Sequence, residues 1–182
     1  MLVRPVEIAD AGRLADIYGY YVESTTISFE IDPPTHQEMM TRITMCRQRY
    51  PWFVCETEEG VAGYAFASKY KDRPSYRYAA ELSVYVDKDL RGKGTGSRLL
   101  GDLIESLKTT PAAILIAGVA LPNEPSVRLV EGFGFRKVAV FEKIGYKLGK
   151  WIDVGYWEME IKERSSYHPE SGGQGAREQR RD

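Results

Sequence analysis

This sequence contains few of the residues that many catalytic sites require. It has two cysteines, Cys46 and Cys55, and two histidines, His36 and His168. Two cysteines are too few for a disulfide framework or a four-thiolate zinc site. Neither histidine lies in a segment that predicts a rigid site, which disfavours a Ser-His-Asp or Cys-His mechanism. We therefore expect no metal site and no histidine-based catalysis.

An excess of one charge and long apolar runs are also absent. The 25 basic and 26 acidic residues give a formal net charge of −1, which is not the basic excess of a general nucleic-acid-binding protein. No run of about 18 apolar residues occurs, so we expect no membrane span. The polar start of the chain does not predict a signal peptide. We expect a cytoplasmic protein that binds neither nucleic acid nor membranes.

The distribution of apolar residues predicts one domain. Residues 1–163 show strand and helix patterns throughout, whereas 164–182 contain two hydrophobic residues, Tyr167 and Ala176. A segment so poor in apolar residues buries too little surface to order itself. We predict a single domain over 1–163 and a disordered tail over 164–182.

Apolar spacing within residues 1–163 predicts the order β-α-α-β-β-β-α-β-α-β-β. Asp10 is expected to cap the first helix, and Thr35 with Glu38 predicts a capping box for the second. The apolar run over 112–119 is typical of a parallel strand buried on both faces. The fold is therefore predicted to be mixed α/β, with a strand-helix-strand crossover in the middle and hairpins around it.

The most informative segment follows the strand at 80–86 and opens a leucine-rich helix. We call it the glycine loop, and it consists of Arg91, Gly92, Lys93, Gly94, Thr95, Gly96 and Ser97. Glycines let backbone N–H groups approach an anion, and a helix N-terminus adds free donors and partial positive charge. The loop predicts a cradle for a pyrophosphate.

Other interpretations of the glycine loop fit its spacing less well. A P-loop requires Gly-Lys-Ser/Thr, which is absent. The dinucleotide fingerprint Gly-x-Gly-x-x-Gly has a different spacing and usually follows the first strand of its domain. A glycine-rich turn that only caps a helix remains an alternative, although three glycines in five residues carry an entropic cost.

The loop also matches the pattern Gln/Arg-x-x-Gly-x-Gly/Ala, and the chain resembles the GNAT superfamily of acyl-CoA-dependent N-acetyltransferases. It is most similar to the phosphinothricin and methionine-sulfone N-acetyltransferase group, through segments 50–52, 81–86, 121–129 and 145–155 as well as the loop. The resemblance implies a GNAT-type mixed, largely antiparallel twisted sheet. Its central parallel strand pair would be splayed around the cofactor, with helices on both faces.

The resemblance implies that acetyl-CoA is the co-substrate and that a small amino acid-like amine is the acceptor. Glu81 is the candidate general base. An extended strand places Glu81 on the same face as Ser83 and Tyr85, where burial would raise the pKa of a carboxylate, and the resemblance implies this role for a glutamate here. The alternative is that Glu81 merely pairs with an arginine such as Arg77.

The resemblance also implies how the cofactor is held. The pantetheine arm would pair with the backbone of Val84 and Val86 like an added strand, and an N–H near Val84 would stabilise the oxyanion. Asn123 begins a helix, where its amide can reach that arm or only cap the helix. The predicted cofactor residues are Val84, Tyr85, Val86, Arg91, Gly92, Lys93, Gly94, Thr95, Gly96, Ser97, Asn123 and Ser126.

One position departs from the family pattern. Val130 stands where the resemblance places a tyrosine or histidine that protonates the leaving thiolate. The thiolate must therefore leave unassisted, take a proton from water or use another group, for which Tyr85 is a candidate. The departure favours one alternative function, a catalytically silent acyl-CoA-binding module. A second alternative is a protein N-terminal or lysine acetyltransferase, which needs an open peptide groove.

The acceptor is expected near the segment 69–78, which contains several cations, several tyrosines and a single acid. Arginine binds carboxylates in a bidentate fork, so the segment favours a zwitterionic or acidic amine over a polyamine. The resemblance places Phe29, Arg73 and Tyr76 near the acceptor, and a solvated charged loop is the alternative. It also implies a homodimer.

Overall fold

A computed structural model of the chain describes residues 1–163, and the predicted tail over 164–182 lies outside the described residues. Within them the helices and strands follow the predicted order. They are β1 (Leu2–Pro5), α1 (Ala11–Ser24), α2 (His36–Cys46), β2 (Trp52–Thr57), β3 (Gly60–Lys69), β4 (Ala79–Val86), α3 (Thr95–Leu107), β5 (Ile114–Leu121), α4 (Glu124–Gly132), β6 (Arg136–Lys147) and β7 (Lys150–Glu160).

The strands form one sheet with the order β1-β2-β3-β4-β5-β7-β6. Within residues 1–163 every neighbouring pair is antiparallel except β4 and β5, which run parallel. One hydrophobic core packs α1 and α2 on one face of the sheet, and a second packs α3 and α4 on the other. The predicted sheet with its parallel pair and helices on both faces is confirmed.

The parallel strands β4 and β5 pair over a short stretch and then separate. Their paired residues run from Ala79 opposite Ile114 to Glu81 opposite Ile116, although β4 continues to Val86 and β5 to Leu121. We call the opening beyond these pairs the strand gap. It lies in the middle of the sheet, where both of its edges are held by neighbouring strands.

The hydrogen-bond ladder between β3 and β4 decides which backbone groups face the strand gap. Asp87 N–H donates to the carbonyl of Ala62 at 2.8 Å, and bonded residues alternate along an antiparallel strand. The N–H and C=O groups of Leu82, Val84 and Val86 therefore point away from β3 and toward the gap. An extended molecule lying there would find main-chain partners.

Side chains of β4 alternate between the two faces of the sheet. Leu82 belongs to the core beneath α3, whereas the ring of Tyr85 packs against Tyr18 and Tyr21 of α1 at centroid distances of 4.9 and 5.2 Å. Glu81 shares the face of Tyr85, as predicted. This arrangement places Glu81 on the α1 and α2 side of the sheet.

The caps predicted for α1 and α2 had different outcomes. Thr35 and Glu38 form the predicted reciprocal capping box of α2. Asp10 lies at the predicted N-cap position of α1, but its side chain makes no capping hydrogen bond, because its carboxylate instead accepts hydrogen bonds from Arg4 at 2.8 and 2.9 Å and from the Glu7 N–H at 2.8 Å. A charged partner on β1 outcompetes the free N–H groups of the helix.

Among residues 1–163 the longest helices fall short of crossing a membrane.

Candidate active site

The strand gap encloses a cavity of about 100 Å³ that is lined by residues from both sides of the sheet. Ile27 lines it on the α1 side, whereas Leu100 and Val130 line it on the side of α3 and α4. Four of the predicted cofactor residues border it, namely Val84, Tyr85, Asn123 and Ser126. The gap therefore connects the two faces of the molecule beside the predicted base.

Asn123 has one of its two predicted roles in the structure, and the other stays a prediction. Its side-chain oxygen accepts a hydrogen bond from the Ser126 N–H at 3.3 Å and caps α4. Its amide nitrogen bonds to no other residue that the structure describes. Because the side chain borders the strand gap, this nitrogen can donate to a molecule lying there.

The glycine loop takes the shape that its glycines permit. Gly92 and Gly94 have φ angles of +76° and +83°, a region that is costly for residues with a Cβ. A Cβ at either position would meet nothing within 4 Å. These two glycines are therefore required by backbone conformation and not by crowding.

The loop also leaves donors free at the start of α3. No side chain caps this helix, and its first backbone hydrogen bond runs from the Arg98 N–H to the Gly94 carbonyl at 3.0 Å. The N–H groups of 95–97 consequently lack an acceptor within the helix. Together with the partial positive charge of the helix end, they form a site for an anion.

Gly96 connects the loop to the strand gap. A Cβ on Gly96 would lie 3.5 Å from Leu129 of α4 and within 4 Å of Val84 and Val86 of β4. The absence of a side chain lets the first turn of α3 approach these elements closely. The anion site and the backbone of β4 are therefore neighbours, as an extended cofactor with a diphosphate would need.

The charged side chains of the loop differ in their surroundings. The guanidinium of Arg91 lies over the rings of Tyr20 and Tyr21, at 5.3 and 5.1 Å from their centroids. Tyr21 in turn donates to the Val86 carbonyl at 2.6 Å. Lys93 is exposed and makes no ion pair within the described residues. Arg91 thus braces the loop against α1, while Lys93 is available to a ligand.

Glu81 is the last residue of β4 that pairs with β5. It borders a cavity of about 580 Å³, which we call the Glu81 cavity. Burial raises the pKa of the Glu81 carboxyl, and the positive charge of Lys71 opposes this shift in part. The carboxylate makes no hydrogen bond or ion pair within residues 1–163, and Arg77 instead lies over the ring of Tyr78 at 4.6 Å. Such a carboxylate is typical of a general base.

Gly118 of β5 joins the strand gap to the Glu81 cavity, since it borders both. A Cβ at this position would lie 3.4 Å from Glu81 Oε1 and 3.4 Å from the ring of Tyr156. Tyr85 borders both spaces as well. Sequence reasoning missed Gly118, although a glycine within an apolar strand often marks a close approach.

The segment between α1 and α2 forms one wall of the Glu81 cavity. The Tyr18 hydroxyl lies 2.7 Å from Ser28 Oγ and donates to Glu30 Oε1 at 2.9 Å. Arg42 donates to both carboxylate oxygens of Glu30 at 2.8 Å. Sequence reasoning missed this network, because it joins residues from three parts of the chain.

Residues at the end of β6 contact the α1–α2 segment that forms this wall of the Glu81 cavity. The buried Lys147 ammonium donates to the Ser28 carbonyl at 2.7 Å, and burial lowers the pKa of Lys147. A Cβ at Gly145 would lie 2.5 Å from the ring of Phe29. The predicted acceptor residue Phe29 therefore packs against Gly145 and borders the same cavity as Glu81.

The structure does not bring the other two predicted acceptor residues to the Glu81 cavity. Arg73 and Tyr76 lie exposed around a 3-10 turn over 74–76, and neither borders the cavity. Lys71 lies 5.1 and 5.6 Å from the ring centroids of Tyr70 and Tyr76. Lys71 is the residue of this segment whose charge acts on Glu81, and sequence reasoning did not single it out.

Val130 is buried and borders the strand gap at the position where the family resemblance places a proton donor. Its isopropyl group has no proton to give. The nearby Tyr85 borders the same gap, and burial raises the pKa of its hydroxyl well above the ordinary value of 10. Tyr85 therefore keeps its proton and can donate a hydrogen bond.

Comparison with known proteins agrees with this geometry. Residues 3–155 match the family model of the acetyltransferase (GNAT) domain. The phosphinothricin N-acetyltransferase of Streptomyces viridochromogenes is 37% identical over 159 residues, which cover 87% of each chain. The L-methionine sulfoximine/L-methionine sulfone acetyltransferase of Salmonella typhimurium is 29% identical and covers 91% of this chain and 98% of its own.

A solved structure shows the same fold with the cofactor bound. The GNAT superfamily phosphinothricin acetyltransferase of Sinorhizobium meliloti in complex with AcCoA superposes with a TM-score of 0.89, at 29% identity and 94% coverage of both chains. GNAT acetyltransferases use acetyl-CoA, and the gap, free helix donors and glycine loop described above suit that molecule. The chain therefore belongs to the GNAT acetyltransferase family and is an acetyl-CoA-dependent N-acetyltransferase.

Proposed function

We propose that this enzyme acetylates the primary amine of a small amino acid-like substrate, of the phosphinothricin or methionine sulfone kind, with Glu81 as general base. One observation carries the proposal. The unpaired Glu81 carboxylate lies where Gly118 joins the strand gap to the Glu81 cavity. A thioester entering through the gap and an amine held in the cavity would meet beside this carboxylate.

The residues on both sides of the gap suit acetyl-CoA, which when bound supplies a thioester carbonyl carbon that an amine can attack. Backbone N–H groups of the glycine loop would hold the pyrophosphate, with Lys93 adding charge. The backbone of Val84 and Val86 would pair with the pantetheine arm, assisted by the Asn123 amide and by Ser126. The carbonyl of Val86 already accepts from Tyr21, so its N–H is the group left for this pairing.

Glu81 would accept the proton that the acceptor ammonium must lose, directly or through water. The Val84 N–H would donate to the thioester oxygen as negative charge develops there. The new N–C bond forms while the C–S bond breaks, and the thiolate leaves with the electron pair of that bond. Tyr85 would donate a hydrogen bond to the sulfur, and water would supply its proton because Val130 cannot.

Charge and shape in the cavity support an amino acid-like acceptor. An α-amino acid presents its amine and carboxylate one carbon apart. The cavity presents Glu81 for the amine, and Lys71, which lies outside the cavity lining but whose charge acts on Glu81, would attract the carboxylate. Phe29 provides an apolar wall. Arg73 and Tyr76 are proposed to contact the acceptor only from the exposed rim.

An exposed apolar surface on β6 and β7 supports the proposal of a homodimer. Phe141, Ile144 and Trp151 of this strand pair are 48%, 56% and 63% exposed, and large exposed apolar side chains are typical of interaction sites. A second copy of the chain is the proposed partner. The cytoplasmic location stays a prediction.

The test is release of the coenzyme A thiol from acetyl-CoA in the presence of an amine panel. Phosphinothricin, methionine sulfone and the common amino acids are expected to support turnover. Peptides used in preference to all of these would indicate a protein N-terminal or lysine acetyltransferase. Tight acetyl-CoA binding by calorimetry without thiol release would instead indicate a silent binding module.

A further inference from the structure

A second cavity, which the proposed function does not use, lies between α2 and strands β2–β4. We call it the aromatic groove, and its volume of about 800 Å³ falls within the range of roughly 300–1,000 Å³ typical of small-molecule sites. Its floor is the stack of Trp52 on Phe66, at a centroid distance of 4.4 Å, with Tyr64 at 5.8 Å from Trp52. Phe66 is the less buried member of this stack.

The aromatic groove adjoins the Glu81 cavity. Tyr18, Glu30 and Tyr85 border both spaces. Ser68, which pairs directly with Glu81 across the β3–β4 ladder, and Ser83, the next residue on the face of Glu81, both line the groove. Two residues along a strand span about 7 Å, so the groove begins one side-chain position from the base.

Three of the four charged residues that line the groove are paired with neighbours, and the fourth, Arg49, is exposed and makes no ion pair within residues 1–163. Arg42 is bidentate to Glu30, and Lys69 pairs with Asp72 at 3.0 Å. Burial raises the pKa of Cys46 to about 11, and its thiol donates to the Ala67 carbonyl. The inner groove therefore offers aromatic and thioether surface to an uncharged group, and a flat ring stacks best on such a floor.

We propose that the aromatic groove receives the side chain of the acceptor and that the enzyme acetylates α-amino acids with aromatic side chains. This inference rests on the proposed function. With the amine at Glu81 and the carboxylate toward Lys71, a side chain of two or three bonds carries a ring over Phe66. Smaller acceptors would occupy the Glu81 cavity alone and leave the groove to water.

Filling the groove has a measurable consequence. Binding in the groove would remove the apolar ring surface of phenylalanine from water, and alanine has no such surface to bury. A difference of this size between two substrates changes kcat/KM about 10- to 100-fold. We expect phenylalanine to exceed alanine by that factor in the wild-type enzyme. Equal values for the two amino acids would overturn the inference.

Two neighbouring positions of α2 provide a matched pair of variants. Met45 is 68% exposed and lines the groove, whereas Thr44 is exposed and does not line it. Met45→Trp should lower kcat/KM for phenylalanine about tenfold by occupying the groove, and change the value for alanine less than about twofold. Thr44→Trp should leave both within about twofold. Equal phenylalanine values in the two variants would refute the assignment.

Binding measurements keep this test separate from the test of the proposed function. Ring-proton saturation-transfer NMR with phenylalanine and the whole protein needs no turnover. A signal in the wild type and in Thr44→Trp that disappears in Met45→Trp supports the groove, even if no amine releases thiol and the proposed function fails. No signal in the wild type, or displacement only by peptides that begin with phenylalanine, overturns the inference for free amino acids.

Discussion

The glycine loop presents backbone groups, whereas the Glu81 cavity is lined by side chains. The loop offers the free N–H groups of 95–97 at the start of α3, and its backbone is shaped by positive φ angles at Gly92 and Gly94. The cavity offers side chains from the α1–α2 segment and from β4, β5, β6 and β7. One surface is local and made of backbone, whereas the other is dispersed and made of side chains.

This difference predicts which part of the enzyme tolerates amino-acid substitutions. A backbone site depends on conformation, so most substitutions at exposed loop positions leave it intact and substitutions at its positive-φ glycines do not. A side-chain site changes its ligand with each wall residue. The cofactor can therefore stay constant across a family while the acceptor changes.

The largest expected effect separates chemistry from cofactor binding. Glu81→Gln should lower kcat about 100- to 10,000-fold, which is the usual contribution of a positioned base, while the acetyl-CoA Kd from calorimetry stays unchanged. Glu105→Gln, on the exposed surface of α3, is the control. A loss of acetyl-CoA affinity equal to the loss of kcat would assign Glu81 to the cofactor.

The same variant has a predicted effect on stability. Because the pKa of Glu81 is raised in the folded state, the folded protein binds this proton more tightly than the unfolded protein does. The free energy of unfolding therefore falls as the pH rises from the unfolded-state pKa of this carboxyl to its folded-state pKa. Glu81→Gln should therefore unfold at an equal or higher Tm at pH 7, and the difference should vanish in acid. A lower Tm at pH 7 would indicate an undetected partner.

A pair of glycines tests whether the loop acts through its backbone. Gly94 and Gly60 both have positive φ, +83° and +100°, and open space at the Cβ position. Alanine costs about 1–2 kcal/mol in this region, so both Ala variants should lose similar stability. Gly94→Ala alone should weaken acetyl-CoA binding about tenfold, because the relaxed loop must return to positive φ on binding. Equal Kd values in both variants would contradict the backbone mechanism.

Lys147 tests the side-chain wall. Lys147→Met keeps the apolar stem but loses the hydrogen bond to the Ser28 carbonyl, which as a bond to a charged group contributes roughly 1.5–3 kcal/mol. We expect a Tm lower by about 3–10 °C and a higher acceptor KM, with unchanged acetyl-CoA affinity. Lys150→Met, at the exposed end of the same hairpin, should change neither. A rise in the acetyl-CoA Kd would show that the two sites are not independent.

The smallest expected effect concerns pH. The positive charge of Lys71 lowers the pKa of Glu81 against the effect of burial, so Lys71→Met should raise that pKa and move the acidic limb of kcat/KM to higher pH. Lys108→Met, whose ammonium pairs with Glu105 on α3, should leave the limb in place. An unmoved limb in Lys71→Met would mean that the profile reports another group.

The sequence was sufficient where neighbours in the chain are also neighbours in space. The element order, the capping box of Thr35 and Glu38 and the positions of the glycines follow from local patterns, as does the face that Glu81 shares with Tyr85. The side chain of Asp10 is the exception, because its carboxylate accepts hydrogen bonds from Arg4 on β1 and does not cap α1. Local rules ignore such a partner.

The acceptor wall shows the same limit. Lys147 meets Ser28 across 119 residues of sequence, and Gly118 matters because it faces Glu81 and Tyr156 from another strand. Lys71, rather than Arg73, has the charge that acts on the base, which the order of residues in the segment does not predict. By itself the sequence determined the anion-binding backbone, because backbone geometry is set by adjacent residues. Only the tertiary structure decided the acceptor site, because its walls are distant side chains that packing brings into contact.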